Sequence, residues 1–357
     1  MTKKTYNILI LGASYGSLLG VKLALAGHHV HLVCLPAEAD LINAEGSIIR
    51  MPIRGRTGLV ELDSRKAPGR LTASSTANVK PQDYDLVGLA MQEPQYRSPG
   101  VRELLAAVAA ARVPCMSIMN MPPLPYLRRI PGLNADACRN AFTESEIWDG
   151  FDPALVTLCS PDPQAFRPPE DKVNVLQVRL PTNFKAARFD SDAHTQMLRD
   201  MEAGIDSIRF DMGDGVTELP VKLRVHDSIY VPLAKWAMLI TGNYRCVQKD
   251  SMRSIKEAVH SDLKKSQDIY QWVVDLCVSM GANAADMVPF EKYAAAANGL
   301  ESPSSAARAL FGGAQNIERV DRLVQSIAAA QGLRLDTLDE VVALVDERLE
   351  LNRQSAK

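Results

Sequence analysis

The sequence predicts an α/β domain at the N-terminus followed by an all-α domain. Three observations carry this expectation. The apolar run Ile8 to Leu11 passes through Gly12 into a helical pattern and then a second apolar strand, which makes a βαβ unit. Strand and helix patterns go on alternating as far as Met119, as a doubly wound sheet requires. From about residue 223 the pattern is helical to the end, so the division is expected at 1–222 and 223–357.

In the opening unit, Ile8 to Leu11 suits a strand buried on both faces, Leu18 to Ala26 a helix closed by Gly27, and Val30 to Leu35 a second strand. The turn reads Gly12, Ala13, Ser14, Tyr15, Gly16, Ser17. A G-x-G-x-x-G fingerprint would put glycines at 12, 14 and 17, and only the first is kept. Ser14 adds a Cβ where the backbone normally approaches a pyrophosphate, although its hydroxyl can donate a hydrogen bond. Ser17 is small enough for helix to pack on strand, and Gly16 and Gly20 share one helix face. Strand, glycine turn and helix together favour a dinucleotide whose pyrophosphate lies over Gly12 to Ser17. A βαβ unit that packs tightly and binds nothing is the alternative.

At 357 residues, with 46% hydrophobic and 23% charged residues, the chain has the composition of a two-domain globular protein. A net charge of −2 carries no signature of nucleic-acid or anionic-membrane binding. The cysteines at 34, 115, 138, 159, 246 and 277 show no C-x-x-C spacing, so reduced thiols are expected and no metal site. The start leads straight into a strand without a signal-peptide core, and no apolar run reaches membrane-spanning length, so a cytoplasmic protein is expected.

Farther along, Ser47 to Pro52 and Gly58 to Asp63 read as short strands around the Arg54-Gly55-Arg56 turn, and Leu71 to Ser75 as a third. Asp85 to Ala90 is a buried-strand pattern, Val101 to Ala111 a helix, and Val113 to Met119 another strand. From about 121 to 190 prolines interrupt the chain, which predicts an elaborated sheet edge with strands at Leu155 to Cys159 and Val173 to Leu180. Residues 192–203 read as a helix, and Ile205 to Asp211 as a closing strand before the Gly213-Asp214-Gly215 turn. Helices are expected over Ser228 to Tyr244, Ser254 to Met280, Gln315 to Gln331 and Leu335 to Leu351.

In an open α/β sheet the ligand lies beyond the carboxyl ends of the strands. Asn120 follows one such strand and Gln92 the one before it; an amide there can hold a nicotinamide or a carbonyl, or simply satisfy a turn. Lys235 sits in the otherwise apolar run Lys-Trp-Ala-Met-Leu-Ile-Thr-Gly-Asn that ends at Asn243. A desolvated ammonium suits proton donation, and Asn243 falls within about 80° of it around a helix. A lysine snorkelling from a helix edge is the other reading.

Together, the N-terminal unit, an asparagine after Ser-Ile-Met, the Lys…Asn helix, the Ser-Pro-Ser-Ser segment and the helical C-terminal region resemble the ketopantoate reductases (2-dehydropantoate 2-reductases). The resemblance covers most of the chain outside about 125–220. It implies a Rossmann domain joined to a 6-phosphogluconate-dehydrogenase-like helical domain, NADP as cofactor with NAD possible, a small-molecule carbonyl substrate such as a 2-oxo acid, and a possible homodimer. It implies Lys235 as the general acid, Asn243 as a substrate contact, Asn120 as a bridge between cofactor and substrate, and Ser304 or Ser305 at the substrate carboxylate. Several family positions differ. A second asparagine is replaced by Leu239, the Asn-Gly pair by Asn120-Met121, the arginine after the second strand by Leu35, a lysine near Gln92 by Ala90 or Met91, and the late glutamate by Asn316. On this alignment Asn316 faces the substrate, while Glu318 and Asp321 point elsewhere on a helix. No acidic residue stands at the end of the second strand, Glu38 and Asp40 lying beyond Pro36, which favours NADP over NAD. Two other readings compete: an enzyme like the opine dehydrogenases, suggested by His226-Asp227, and a catalytically weakened nucleotide-binding regulator, suggested by Ser14, Leu239 and Asn316.

Overall fold

A computed structural model describes residues 4–77, 79–213 and 215–356. Its contacts divide the chain into two compact units. The first comprises Met1–Met91, Ser98–Met119 and Gly150–Asp227; the second comprises Gln92–Arg97, Asn120–Asp149 and Ser228–Lys357.

The first unit is built on β1 (Asn7–Leu11), α1 (Tyr15–Leu25) and β2 (His29–Val33), the βαβ unit expected from the apolar runs. Next come α2 (Pro36–Glu45), a hairpin of β3 (Ile48–Pro52) and β4 (Leu59–Asp63), then β5 (Arg70–Ser74), β6 (Leu86–Leu89), α3 (Val101–Ala111) and β7 (Cys115–Ile118). After the excursion into the second unit come β8 (Val156–Ser160), β9 (Gln164–Phe166), β10 (Val175–Leu180), β11 (Phe184–Ala187), α5 (Asp192–Asp206), β12 (Phe210–Asp211), β13 (Val216–Thr217) and β14 (Leu223–His226). The main sheet runs β14-β11-β8-β7-β6-β1-β2-β5. From β5 to β8 every pairing is parallel, and counted along the chain these six strands lie in the order 3-2-1-4-5-6. That is the doubly wound order, with its switch point between β1 and β6. β11 joins β8 antiparallel and carries β14 on its outer side.

Three expectations change here. Ile205 belongs to α5, because Met197, Met201 and Ile205 form one buried helical stripe. Only Phe210–Asp211 is extended, pairing with Val216–Thr217 in a small ribbon, and Leu223–His226 closes the sheet instead. Asp214, in the turn between the ribbon strands, lies outside the described residues. The proline-interrupted stretch elaborates the first unit only from Gly150 on, where β9 and β10 join β3 and β4 in a second sheet of order β4-β3-β10-β9. Finally, β2 ends at Val33 rather than Leu35, and α2 follows, Pro36 taking the first helical position that its fixed φ suits.

One buried charge in this unit gives a pH prediction. Lys22 of α1 is 1% exposed and donates to Pro220 O at 3.0 Å. Burial, aided by the charge of Lys222, lowers its pKa from 10.5 to about 7. Between those two values the unfolded chain holds a proton that the folded chain has released, so stability rises with pH across the window. The slope approaches about 1.4 kcal/mol per pH unit at most. Denaturant melts of Lys22→Met from pH 7 to 10 should lack this rise; an unchanged slope would show that Lys22 does not cause it.

The second unit is helical. Its second segment carries α4 (Leu124–Leu127) and packs Trp148 edge-on against Tyr96 of the first, with ring centroids 5.3 Å apart. The later segment contains α6 (Lys235–Met238), α7 (Ile255–His260), α8 (Leu263–Ser279), α9 (Phe290–Ala297), α10 (Ser305–Phe311), α11 (Val320–Ala330) and α12 (Asp336–Ser355). The long helix expected over Ser254 to Met280 is two helices. Asp262 leaves the helical conformation and caps α8 by accepting from Lys265 N at 2.9 Å.

Candidate active site

Ser228 to Tyr244 was expected as one helix, and the backbone is irregular instead. A 3₁₀ turn at Val231–Ala234 leads into α6, a wide π turn covers Leu239–Asn243, and a second 3₁₀ turn ends the run at Tyr244–Cys246. Gly242 permits the wide turn. A Cβ there would stand 2.0 Å from Tyr293 Oη, which donates to Met238 O at 3.0 Å. The wide turn also rotates each residue by less than the α-helical step, so Asn243 swings back from about 80° toward the Lys235 face. Lys235 is half-buried at the start of α6, between buried Ala234 and Trp236.

The segment before α11 supplies the group that the sequence reading misplaced. Gln315 to Arg319 is not helical; α11 begins at Val320. Tyr244 pins the segment, its hydroxyl donating to Glu318 O and accepting from Val320 N at 3.0 Å. Arg319 is held on the other side by Asp321 at 2.8 Å and Asp346 at 2.7 Å. Asp321 therefore does point elsewhere, into a buried ion pair, but Glu318 does not. Its carboxyl accepts from the Glu93 backbone N–H and the Asn120 side chain, and the charge of Lys235 acts on it. Burial, reinforced by the carboxylate of Glu93, pushes its pKa from 4.5 up to about 7, although those two hydrogen bonds and Lys235 pull the other way. A carboxyl held near neutrality and acted on by a lysine's charge makes this cluster the candidate site.

Two neighbours complete the cluster. Glu93 is 1% exposed and accepts from Thr143 N at 3.0 Å and Thr143 Oγ1 at 2.8 Å, so its carboxylate is committed to holding the 143 loop. Asn120 follows β7, where the sequence placed it. Its Oδ1 is buried and has no hydrogen-bond partner among the described residues. A buried acceptor left open in this way suits a donor from a ligand, such as a carboxamide N–H or a hydroxyl.

The remaining expected residues are less concentrated. Ser304 caps α10 by accepting from Ala307 N and donates to Asn243 O at 2.6 Å, so its hydroxyl is engaged within the protein. Ser305 is exposed in the first turn of that helix. Asn316, expected where relatives place a carboxylate, is not the cluster's acid. With its amide turned so that both atoms find partners, its oxygen accepts from Arg97 Nη2 at 2.8 Å and its nitrogen donates to Gln315 O at 3.1 Å. Gln92 is exposed, with its N–H donating to Gln95 Oε1. Leu239 is a buried core residue. His226 ends β14, and Asp227 pairs with Arg199 at 2.7 Å.

In the first unit the turn between β1 and α1 rests on the one fingerprint glycine that is kept. Gly12 has φ +104°, and a Cβ would stand 2.7 Å from Ala90 O. Ala13 is buried, Ser17 Oγ donates to Ala13 O at 2.7 Å, and Gly16 is buried against the sheet. The N-terminus of α1 has no side-chain cap, Ser14 being exposed, and no acidic residue in the first turn from Tyr15. A helix N-terminus with no side-chain cap and no first-turn carboxylate favours an anion, and the residues present fit a pyrophosphate.

An open sheet of order 3-2-1-4-5-6 with this turn, joined to a helical unit bearing a Lys–Glu–Asn cluster, defines a two-unit protein of the Rossmann class. The same fold is found in 2-dehydropantoate 2-reductase from Methylococcus capsulatus, at 15% identity and TM-score 0.63, covering 97% of each chain. It is found in D-mandelate dehydrogenase solved with NADH and anilino(oxo)acetate, at 13% identity and TM-score 0.63, covering 97% of this chain and 99% of that one. A dimeric ketopantoate reductase from Staphylococcus aureus shares it at 11% identity and TM-score 0.57, covering 97% and 99%. No family model matches the sequence, and no curated protein matches it.

Proposed function

We propose that the chain is a nicotinamide-dependent oxidoreductase of the ketopantoate reductase type, reducing the carbonyl of a 2-oxo acid to a hydroxyl. The observation that carries the reading is the convergence of Lys235, a Glu318 carboxyl titrating near neutrality and the open Asn120 Oδ1. The fold shared with reductases, and with a dehydrogenase solved with NADH and an oxoacetate, supports it. Gly12 to Ser17 would hold the pyrophosphate, and a bound nicotinamide would supply the hydride. Lys235 Nζ gives a proton to the carbonyl oxygen as negative charge develops there, and Glu318, close to the pKa at which protons move freely, returns one to the lysine. Asn120 accepts from the ligand through Oδ1, and Asn243, turned toward the lysine face, contacts the substrate. A homodimer forms part of the reading, as in the dimeric reductase of the same fold.

Turnover of NADH and NADPH on a panel of 2-oxo acids, with and without amino acids, is the test. Simple reduction is expected. Reductive condensation with an amino acid would favour the opine-type alternative, and calorimetric binding without turnover would favour a regulator.

A further inference from the structure

The end of β2 carries a device that the sequence order conceals. Leu35, just past its last residue, is 73% exposed and apolar. Three residues on, Glu38 in the first turn of α2 is nearly buried, its side chain 10% exposed. Arg167, immediately after β9 of the second sheet, reaches back to it. One nitrogen, Arg167 Nη2, donates both to Glu38 Oε1 and to Ala13 O, the latter at 2.9 Å. The pair therefore links the glycine turn after β1 to the helix after β2. In an open α/β sheet that ground belongs to the adenosine ribose of a dinucleotide.

We propose that Glu38, clamped by Arg167 against the glycine turn, makes this protein selective for the dinucleotide lacking a 2′-phosphate, NADH over NADPH. This rests on the proposed function and deepens it. Only one Glu38 oxygen is engaged by Arg167, and the other receives no hydrogen bond from a described residue. That oxygen can accept from a ribose hydroxyl, the role an acidic residue plays in NAD sites. The guanidinium cannot act as a bare cation for a phosphate, because its charge is already matched by a carboxylate with little access to water. A 2′-phosphate brought to this place meets Glu38 across a short, poorly screened distance.

Dissociation constants for NADH and NADPH, read from nicotinamide fluorescence, test the proposal without turnover. The wild-type protein is expected to bind NADH at least about tenfold more tightly. Glu38→Gln keeps the shape, removes the charge and frees Arg167, so the ratio should move toward NADPH by about tenfold or more. Arg167→Met, leaving Glu38 uncompensated, should weaken NADPH further. Equal or tighter NADPH binding by the wild type overturns the proposal whatever the variants do. An unmoved ratio in a Glu38→Gln protein that still binds either cofactor overturns it too. Binding of neither cofactor by the wild type overturns the proposed function, and this inference with it.

Discussion

Replacing Lys235 with alanine is expected to lower turnover by on the order of 10²–10⁴, or roughly 3–5 kcal/mol of transition-state stabilisation, while the dissociation constant for the cofactor stays within about twofold. The lysine lies in α6 of the helical unit, whereas the glycine turn lies in the sheet unit, so the two measurements report on separate groups of residues. The packing around it is expected to survive, because Lys235 is only half-buried and Trp236 beside it carries the buried surface. Unchanged turnover in a folded variant would make Lys235 a snorkelling lysine and remove the general acid from the scheme.

Glu318→Gln is expected to cost about tenfold to a hundredfold in rate and, more tellingly, to change the pH profile. With the folded pKa raised from 4.5 to about 7, the wild-type carboxyl is neutral below that pH and charged above it. An inflection near 7 in the rate should therefore vanish in the amide variant. The stability effect has its own sign. Between 4.5 and 7 the folded state keeps a proton that the unfolded state has lost, so this group makes folding less favourable as pH rises through that window. Glu318→Gln should remove that decline as well. If neither the rate inflection nor the stability slope moves, the carboxyl plays no part in the chemistry proposed for Lys235.

Periodicity carried much of the architecture. β1, α1, β2, α3 and β7 stand close to where continuous apolar runs and glycine turns put them, because those patterns are local and the burial they imply is nearly complete. Failures came where a distant partner set the backbone. The wide turn at Leu239–Asn243 depends on Tyr293 reaching into the space left by Gly242, which no window of sequence around Lys235 reveals. Glu318 was misjudged for the same reason. Continuing the helical pattern of α11 backward through Gln315 turned its side chain away, whereas Tyr244 holds the segment irregular and the carboxyl lies beside Asn120. The sequence did hold one clue, since an acidic residue stands two positions past Asn316; only the assumption of a helix discarded it. Glu38 is a parallel case, since its significance depends on Arg167, which follows β9 far along the chain.

The way the backbone is shared between the two units limits how the protein can be taken apart. The chain leaves the sheet unit after Met91, returns at Ser98, leaves again after Met119, returns at Gly150 and departs for good after Asp227. No single cut yields either unit whole. A gene truncated after Asp227 would encode Tyr96, Phe142 and Trp148 without the later helices of their own unit, leaving large aromatic surfaces open to aggregation. A C-terminal fragment would lack Glu93 and Asn120, and its lysine and glutamate would have lost half their companions. Grafting the helical unit onto another sheet unit would require all three of its segments to be transplanted together, so a chimaera made with one crossing between homologues always mixes at least one unit from two parents.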